Sequence, residues 1–155
     1  MAFGLSELQY LMHQLGPAIP EIVIILQDDI DSWQLDFDDD VSMRIDWHEE
    51  TAQIMMSCAI GQADANARET VYAALLEANL QLTGVARVKL ALGPDDDVML
   101  IGECDLADAS VEVLRDKVAE FLEIAAKFSS LVTGAGAVAD DDPAPTDLAH
   151  NIHRA

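Results

Sequence analysis

The chain has 155 residues and a formal net charge of −21, because 29 aspartate and glutamate residues outnumber 8 lysine and arginine residues. Nucleic acid and anionic lipid repel such a polyanion, so we expect neither nucleic-acid binding nor membrane insertion. Hydrophobic residues make up 51% of the chain, which excludes disorder of the whole molecule and is enough for one buried core.

The cysteines and the apolar runs indicate a cytoplasmic protein. Cys58 and Cys104 each lie in a strand-like run, where we expect them to pack as reduced, small apolar side chains. The longest apolar run, from Ile22 to Leu26, is far shorter than the roughly 20 residues that span a bilayer. The first residues also lack the basic region of a signal peptide.

The first predicted element is a helix from Phe3 to Leu15, because apolar residues recur on one face and a Gly-Pro pair follows. The segment from Ala18 to Ser32 is predicted to be a loop or a short extended stretch. Two strands follow at Trp33–Phe37 and Val41–Trp47, where apolar and polar side chains alternate. A third strand is predicted from Thr51 to Ile60.

A second helix is predicted from Ala67 to Leu82, with Asn66 and Glu69 at the spacing of a capping box. Its apolar residues cover an unusually wide arc, which predicts contact both with its own sheet and with a second subunit. One face carries Val71, Leu75, Ala78 and Leu82, and a neighbouring face carries Tyr72, Leu76 and Leu80.

The last predicted elements are a hairpin, from Val85 to Leu92 and from Asp97 to Leu106, and a long helix from Leu106 to Val132. Apolar residues recur along this helix at spacings of three and four, which places them on one face: Val111, Leu114, Val118, Phe121, Ala125, Phe128 and Val132. Asp108 or Ser110 is the expected cap of that helix, and the glycines at 134 and 136 are expected to end it. The fold class is therefore α+β, a twisted antiparallel sheet of about five strands with three helices in the order α-β-β-β-α-β-β-α. Residues 1–133 form the predicted domain, and residues 134–155 a flexible acidic tail.

No motif predicts catalysis, a metal or a cofactor. Asp36, Asp38 and Asp40 begin like a calcium loop, but Val41 and Trp47 stand where glycine and glutamate are needed. The histidines at 150 and 153 lie in the predicted tail without thiolate partners. We therefore expect a binding protein rather than an enzyme.

The element order and four stretches, residues 5–16, 32–61, 74–106 and 106–128, resemble the class I chaperones of type III secretion systems, of the Tir-chaperone type. The most specific stretch is LLEANL at residues 75–80, followed by Gly84. The resemblance implies a homodimer that binds the amino-terminal region of one or more effectors. The client segment is kept soluble, non-globular and ready for export without ATP hydrolysis, and an export ATPase is a further implied partner.

The resemblance also implies two sets of contact residues. Client segments are expected to meet the first helix and the early strands, at Leu8, Leu11, Met12, Leu15, Leu35, Met43, Ile45 and Met55. They can also extend the sheet by strand addition. The two-fold interface is expected on the second helix and the strand after it, at Val71, Leu75, Ala78, Asn79, Leu82, Val88 and Leu90.

Two other interpretations stay open. The same fold could serve as a regulatory or sensory domain that binds a transcription or secretion regulator, and a weaker option is a small metal-dependent enzyme that uses the acid clusters. The acid-rich segment from Asp28 to Glu50 has Arg44 as its one basic residue apart from histidine. That segment either attracts basic client segments or forms a solvated rim.

Overall fold

The computed structural model describes residues 3–84, 87–107 and 109–139, with side chains up to residue 134. These residues form an α+β fold in which helices cover one face of an antiparallel sheet. The elements in chain order are α1 (Leu5–Ala18), β1 (Ile22–Asp29), β2 (Ser32–Phe37), β3 (Ser42–His48), β4 (Gln53–Gln62), α2 (Arg68–Leu82), β5 (Val88–Leu92), β6 (Asp97–Asp105) and α3 (Val111–Ala139).

The sheet has six strands in the order β1-β2-β3-β4-β6-β5, so β1 and β5 lie at its opposite edges. Trp33 pairs with Ile45, and Ile45 pairs with Met56, which places these apolar side chains in one row on the same face. The strict alternation in β2 and β3 dictates this register, since a shift by one residue would expose every apolar side chain.

The core lies between that face of the sheet and the two helices α1 and α3. Leu114, Val118 and Phe121 of α3 are buried over β4 and β6, and α1 packs against α3 and β1. Gly102 on β6 allows Phe121 of α3 to pack close to the strand, because a Cβ atom at position 102 would lie 3.0 Å from Cδ2 of Phe121. The prediction of an α+β fold with helices on an antiparallel sheet is therefore confirmed.

Of the two alternatives for the segment from Ala18 to Ser32, the loop is wrong and the extended stretch is right. Most of it is β1, which pairs antiparallel with β2 and gives the sheet its sixth strand. The run IVIIL shows no alternation, and the pairing shifts register between Ile22 and Ile24. A strand with such a bulge does not keep the period of two that marks a strand in a sequence.

Several element ends also differ from the predictions. α1 continues through Gly16 and Pro17 to Ala18, and α2 starts without a side-chain cap, so the capping box at Asn66 is wrong. The cap of α3 is Ser110, whose Oγ accepts a hydrogen bond from N of Val113 at 3.3 Å. Asp108, the other predicted cap, lies outside the described residues.

The predicted end of the last helix is also wrong, because α3 runs through positions 134 and 136 to Ala139. Glycine inside a helix costs only about 1 kcal/mol relative to alanine, so two glycines do not by themselves end a long helix. The rest of the predicted tail, residues 140–155 with both of its histidines, lies outside the described residues.

Candidate functional site

The two edge strands of the sheet, β1 and β5, differ in the hydrogen-bond partners of their outer backbone groups. At β5, the side chain of Asn79 on α2 donates from Nδ2 to the carbonyl oxygen of Leu90 at 2.9 Å and accepts from N of Leu90 at 2.8 Å. One carboxamide thus replaces the two hydrogen bonds that a neighbouring strand would make there. The β5 edge is closed at this position by the chain's own second helix.

The other edge is open. Among the residues that the structure describes, β1 pairs with β2 on one side and with no strand on the other. Its aliphatic side chains are largely exposed, with Val23 at 62%, Ile24 at 46% and Leu26 at 48%. Unpaired backbone groups beside exposed aliphatic residues form a template on which another strand can pair. We call the residues Ile22–Asp29 the β1 edge.

A small cleft of about 320 Å³ lies between α1 and the β1 edge. Ile25 and Gln27 line it from the strand, and Met12, His13 and Gly16 line it from the helix. Because side chains alternate along a strand, Ile24 and Leu26 lie on the opposite face, away from α1. A strand added to this edge would therefore place side chains both over the cleft and beside these two aliphatic residues.

A larger cleft of about 890 Å³ lies beside the end of α1, between the β2–β3 turn and α3. Ile19, Phe37 and Val41 line one wall, and Leu122 lines the other. Cys58 is also part of the lining, and burial raises the pKa of its thiol to about 11. The thiol is therefore protonated at neutral pH, which suits an apolar wall and not a nucleophile.

The predicted client-binding residues lie mostly in the core, and their contact with a client stays a prediction. Seven are buried, and only Met55 is partly exposed, on the sheet face away from α1. Met12 also lines the cleft beside the β1 edge, where a client side chain could reach it. The seven buried residues pack in the core between the sheet and its helices, and this packing holds β1 in place. They are Leu8, Leu11, Met12, Leu15, Leu35, Met43 and Ile45.

The predicted dimer residues include three that are buried within the chain, namely Val71, Leu75 and Leu90. The other four, Ala78, Asn79, Leu82 and Val88, are partly exposed.

The side chains that α2 presents to solvent are those of its neighbouring apolar face, with Leu76 at 70% and Leu80 at 78% exposure. Together with exposed Leu92 on β5 we call these residues the α2 face. The spacing of four between Leu76 and Leu80 was visible in the sequence, but which apolar face would meet the sheet was not.

Three acidic side chains on β1, β2 and β3 have polar partners within the chain. Ser42 and Gln34 donate hydrogen bonds to Oδ1 of Asp36 at 2.6 and 2.9 Å, and these bonds lower the pKa of that carboxyl. Arg44 bridges Asp28 at 3.1 Å and Asp46 at 2.8 Å. Within residues 3–84, 87–107 and 109–134, no three histidine, cysteine or acidic side chains cluster as metal ligands would. None of the described helices has the length and apolar character to cross a membrane.

A family model matches most of this chain. Residues 25–129 match the Tir chaperone protein (CesT) family, and this span runs from β1 into α3. No curated protein matches the chain by sequence.

Solved structures share the fold at low sequence identity. A chain of the ExsC–ExsE complex superimposes with a TM-score of 0.69 and 15% identity, over 86% of this chain and 98% of that one. A chain of the HopA1–SchA chaperone–effector complex superimposes with a TM-score of 0.63 and 14% identity, over 83% of this chain and 98% of that one. A third match is a chain of the complex between the Yersinia pestis type III secretion chaperone SycH and a fragment of YscM2. Its TM-score is 0.57 at 15% identity, over 77% of this chain and 97% of that one.

The closed β5 edge gives a direct test of its cap. Asn79→Ala removes both hydrogen bonds to Leu90 and leaves a partly buried N–H and C=O without partners. We expect the free energy of unfolding to fall by about 1–3 kcal/mol, measured by urea denaturation. Asn66→Ala is the matched control, because Asn66 is exposed, and it should change stability by less than about 0.5 kcal/mol. Equal stability of the two variants would mean that Asn79 does not hold this edge.

Proposed function

We propose, since the chain belongs to the Tir chaperone protein (CesT) family, that it is a type III secretion chaperone that binds the amino-terminal region of one or more effectors. The observation that carries the proposal is the β1 edge, where exposed Val23, Ile24 and Leu26 flank unpaired backbone. The opposite edge is already occupied by Asn79. Among the described residues, the β1 edge is therefore the place that we propose for an extended partner.

The mechanism follows from strand pairing. A client segment that pairs with β1 gains backbone hydrogen bonds along its length, and its alternate side chains reach the cleft beside Met12 and the aliphatic residues Ile24 and Leu26. A segment held as a strand on a foreign sheet is extended and cannot join its own globular fold. Binding alone keeps the segment in this state, so the mechanism requires neither catalysis nor ATP hydrolysis, and the protein works as a cytoplasmic, cofactor-free partner before export.

The α2 face supports a homodimer. Leu76, Leu80 and Leu92 are large aliphatic residues exposed on neighbouring elements, and covering them with a second copy would remove this surface from water. β1 and β5 lie at opposite edges of the sheet, so a dimer through α2 and β5 leaves both β1 edges free. Each dimer would then offer two binding edges, and an export ATPase would meet the loaded complex.

The client proposal is tested by blocking the edge. Leu26→Lys places a charge at an exposed edge position, where it discourages pairing with an apolar strand without disturbing the core. We expect an unchanged circular dichroism spectrum and at least about a tenfold loss of the effector that co-purifies with the tagged chain from its native host, identified by mass spectrometry.

Leu131→Lys is the matched control, because Leu131 is an exposed leucine on α3, and this variant should retain the effector. Undiminished effector with Leu26→Lys would contradict binding at this edge. A transcription or secretion regulator in place of an effector would favour the regulatory alternative.

The dimer proposal is tested on the same helix by two neighbouring leucines. Leu76→Asp would bury an unpaired charge in the proposed interface, so we expect a folded monomer by light scattering. Leu75→Asp would place the charge in the chain's own core, where Leu75 is 6% exposed, so we expect unfolding by circular dichroism. A Leu76→Asp variant that remains a dimer would exclude the α2 face as the interface.

A further inference from the structure

We propose that the β1 edge selects a basic client segment, in which a central run of aliphatic residues is flanked at both ends by lysine or arginine. The inference rests on the proposed function, because it names the chemistry of the segment that the same edge would take. It follows from how charge and apolar surface are distributed along β1.

Acidic side chains bracket the strand at both ends. Glu21 directly precedes β1, and its carbonyl oxygen accepts a hydrogen bond from N of Asp38 at 3.0 Å, which brings a second exposed acid to that end. Asp28 and Asp29 occupy the last two positions of β1 and are also exposed. The exposed aliphatic residues described above lie between the two acidic ends. The edge therefore has an apolar centre and a negative charge at each end.

The chain supplies few cations to neutralise these ends. Arg44 is the one lysine or arginine between Glu21 and Glu50, and it already contacts Asp28 and Asp46. Within the described part of the chain, Glu21, Asp29 and Asp38 lie in no ion pair. The strand is roughly 25 Å long at about 3.3 Å per residue, which exceeds the Debye length of about 8 Å at physiological salt. Each end therefore attracts its own cation.

The same charges argue against a second copy of the chain as the occupant. If two β1 edges paired in parallel, Glu21 would lie near the Glu21 of the other copy. If they paired antiparallel, Glu21 would lie near Asp28 and Asp29. Both arrangements bring like charges together between chains that each carry a net charge of −21. A basic client replaces this repulsion with attraction, and the repulsion itself keeps an exposed aliphatic edge from self-association.

The experiment compares two fluorescent peptides on the full chain by anisotropy. Both have the same centre of alternating valine and threonine; one carries two lysines at each end and the other two glutamates at each end. We expect the lysine peptide to bind at least about tenfold more tightly at about 50 mM salt, and the difference to shrink at about 500 mM salt. Equal affinities, or no binding of either peptide, would overturn the inference.

Variants locate the effect on the edge. Glu21→Gln combined with Asp29→Asn keeps the size of both side chains and the hydrogen bond from N of Ile30 to Oδ1 of residue 29. We expect this double variant to bind the lysine peptide about fivefold more weakly. The control, Asp116→Asn combined with Glu123→Gln, removes the same charge from exposed positions of α3 and should have no effect. Equal weakening by both pairs would show attraction to net charge alone and would overturn the inference.

The outcome separates the basic segment from the chaperone role. If the peptides show no charge preference while an effector still co-purifies in a manner that depends on Leu26, the basic-segment inference fails and the proposed function stands. If the effector is retained when Leu26 is replaced by lysine, binding at the β1 edge fails whatever the peptides show.

Discussion

An open β-sheet has two edges, and the backbone groups along each of them need hydrogen-bond partners; the rest of this structure depends on how that need is met. At Leu90 of β5 the chain satisfies it internally, because Asn79 of α2 pairs with both backbone groups of this residue. At β1 the chain leaves the groups to solvent or to a partner. Among the described residues the two edges therefore differ, and β1 is the edge that we propose for client binding.

The core determines where that edge lies. Apolar side chains of β2 and β3 hold the sheet against α1, and α1 in turn holds β1 through the cleft around Met12 and Ile25. Most of the residues predicted to contact a client therefore help to fix the position of β1, the strand with which a client would pair. In the proposed mechanism, the exposed aliphatic residues at the edge contact the client, and the negative charge around them opposes pairing between two copies of the chain.

The sequence was sufficient where a pattern had one physical meaning. Alternation in β2 and β3 predicted both strands, and the three-and-four spacing of Leu114, Val118 and Phe121 predicted the helix that covers them. β1 was not predicted as a strand of the sheet, because a bulge and an uninterrupted aliphatic run remove the alternation of apolar and polar residues. The two apolar faces of α2 were both visible, but their roles depend on where the helix meets β5, which is a tertiary contact that no local pattern encodes.

The central claim is that a client adds a strand to β1 while α2 keeps β5 closed. Amide hydrogen exchange on the full chain, with and without a bound effector segment, tests it most directly, because backbone pairing slows exchange at the residues that pair. We predict new protection confined to those amides of Ile22–Asp29 that face away from β2, with the exchange of Val88–Leu92 unchanged. Protection that appears at β5, or no change at β1 in a complex that has demonstrably formed, would contradict the account.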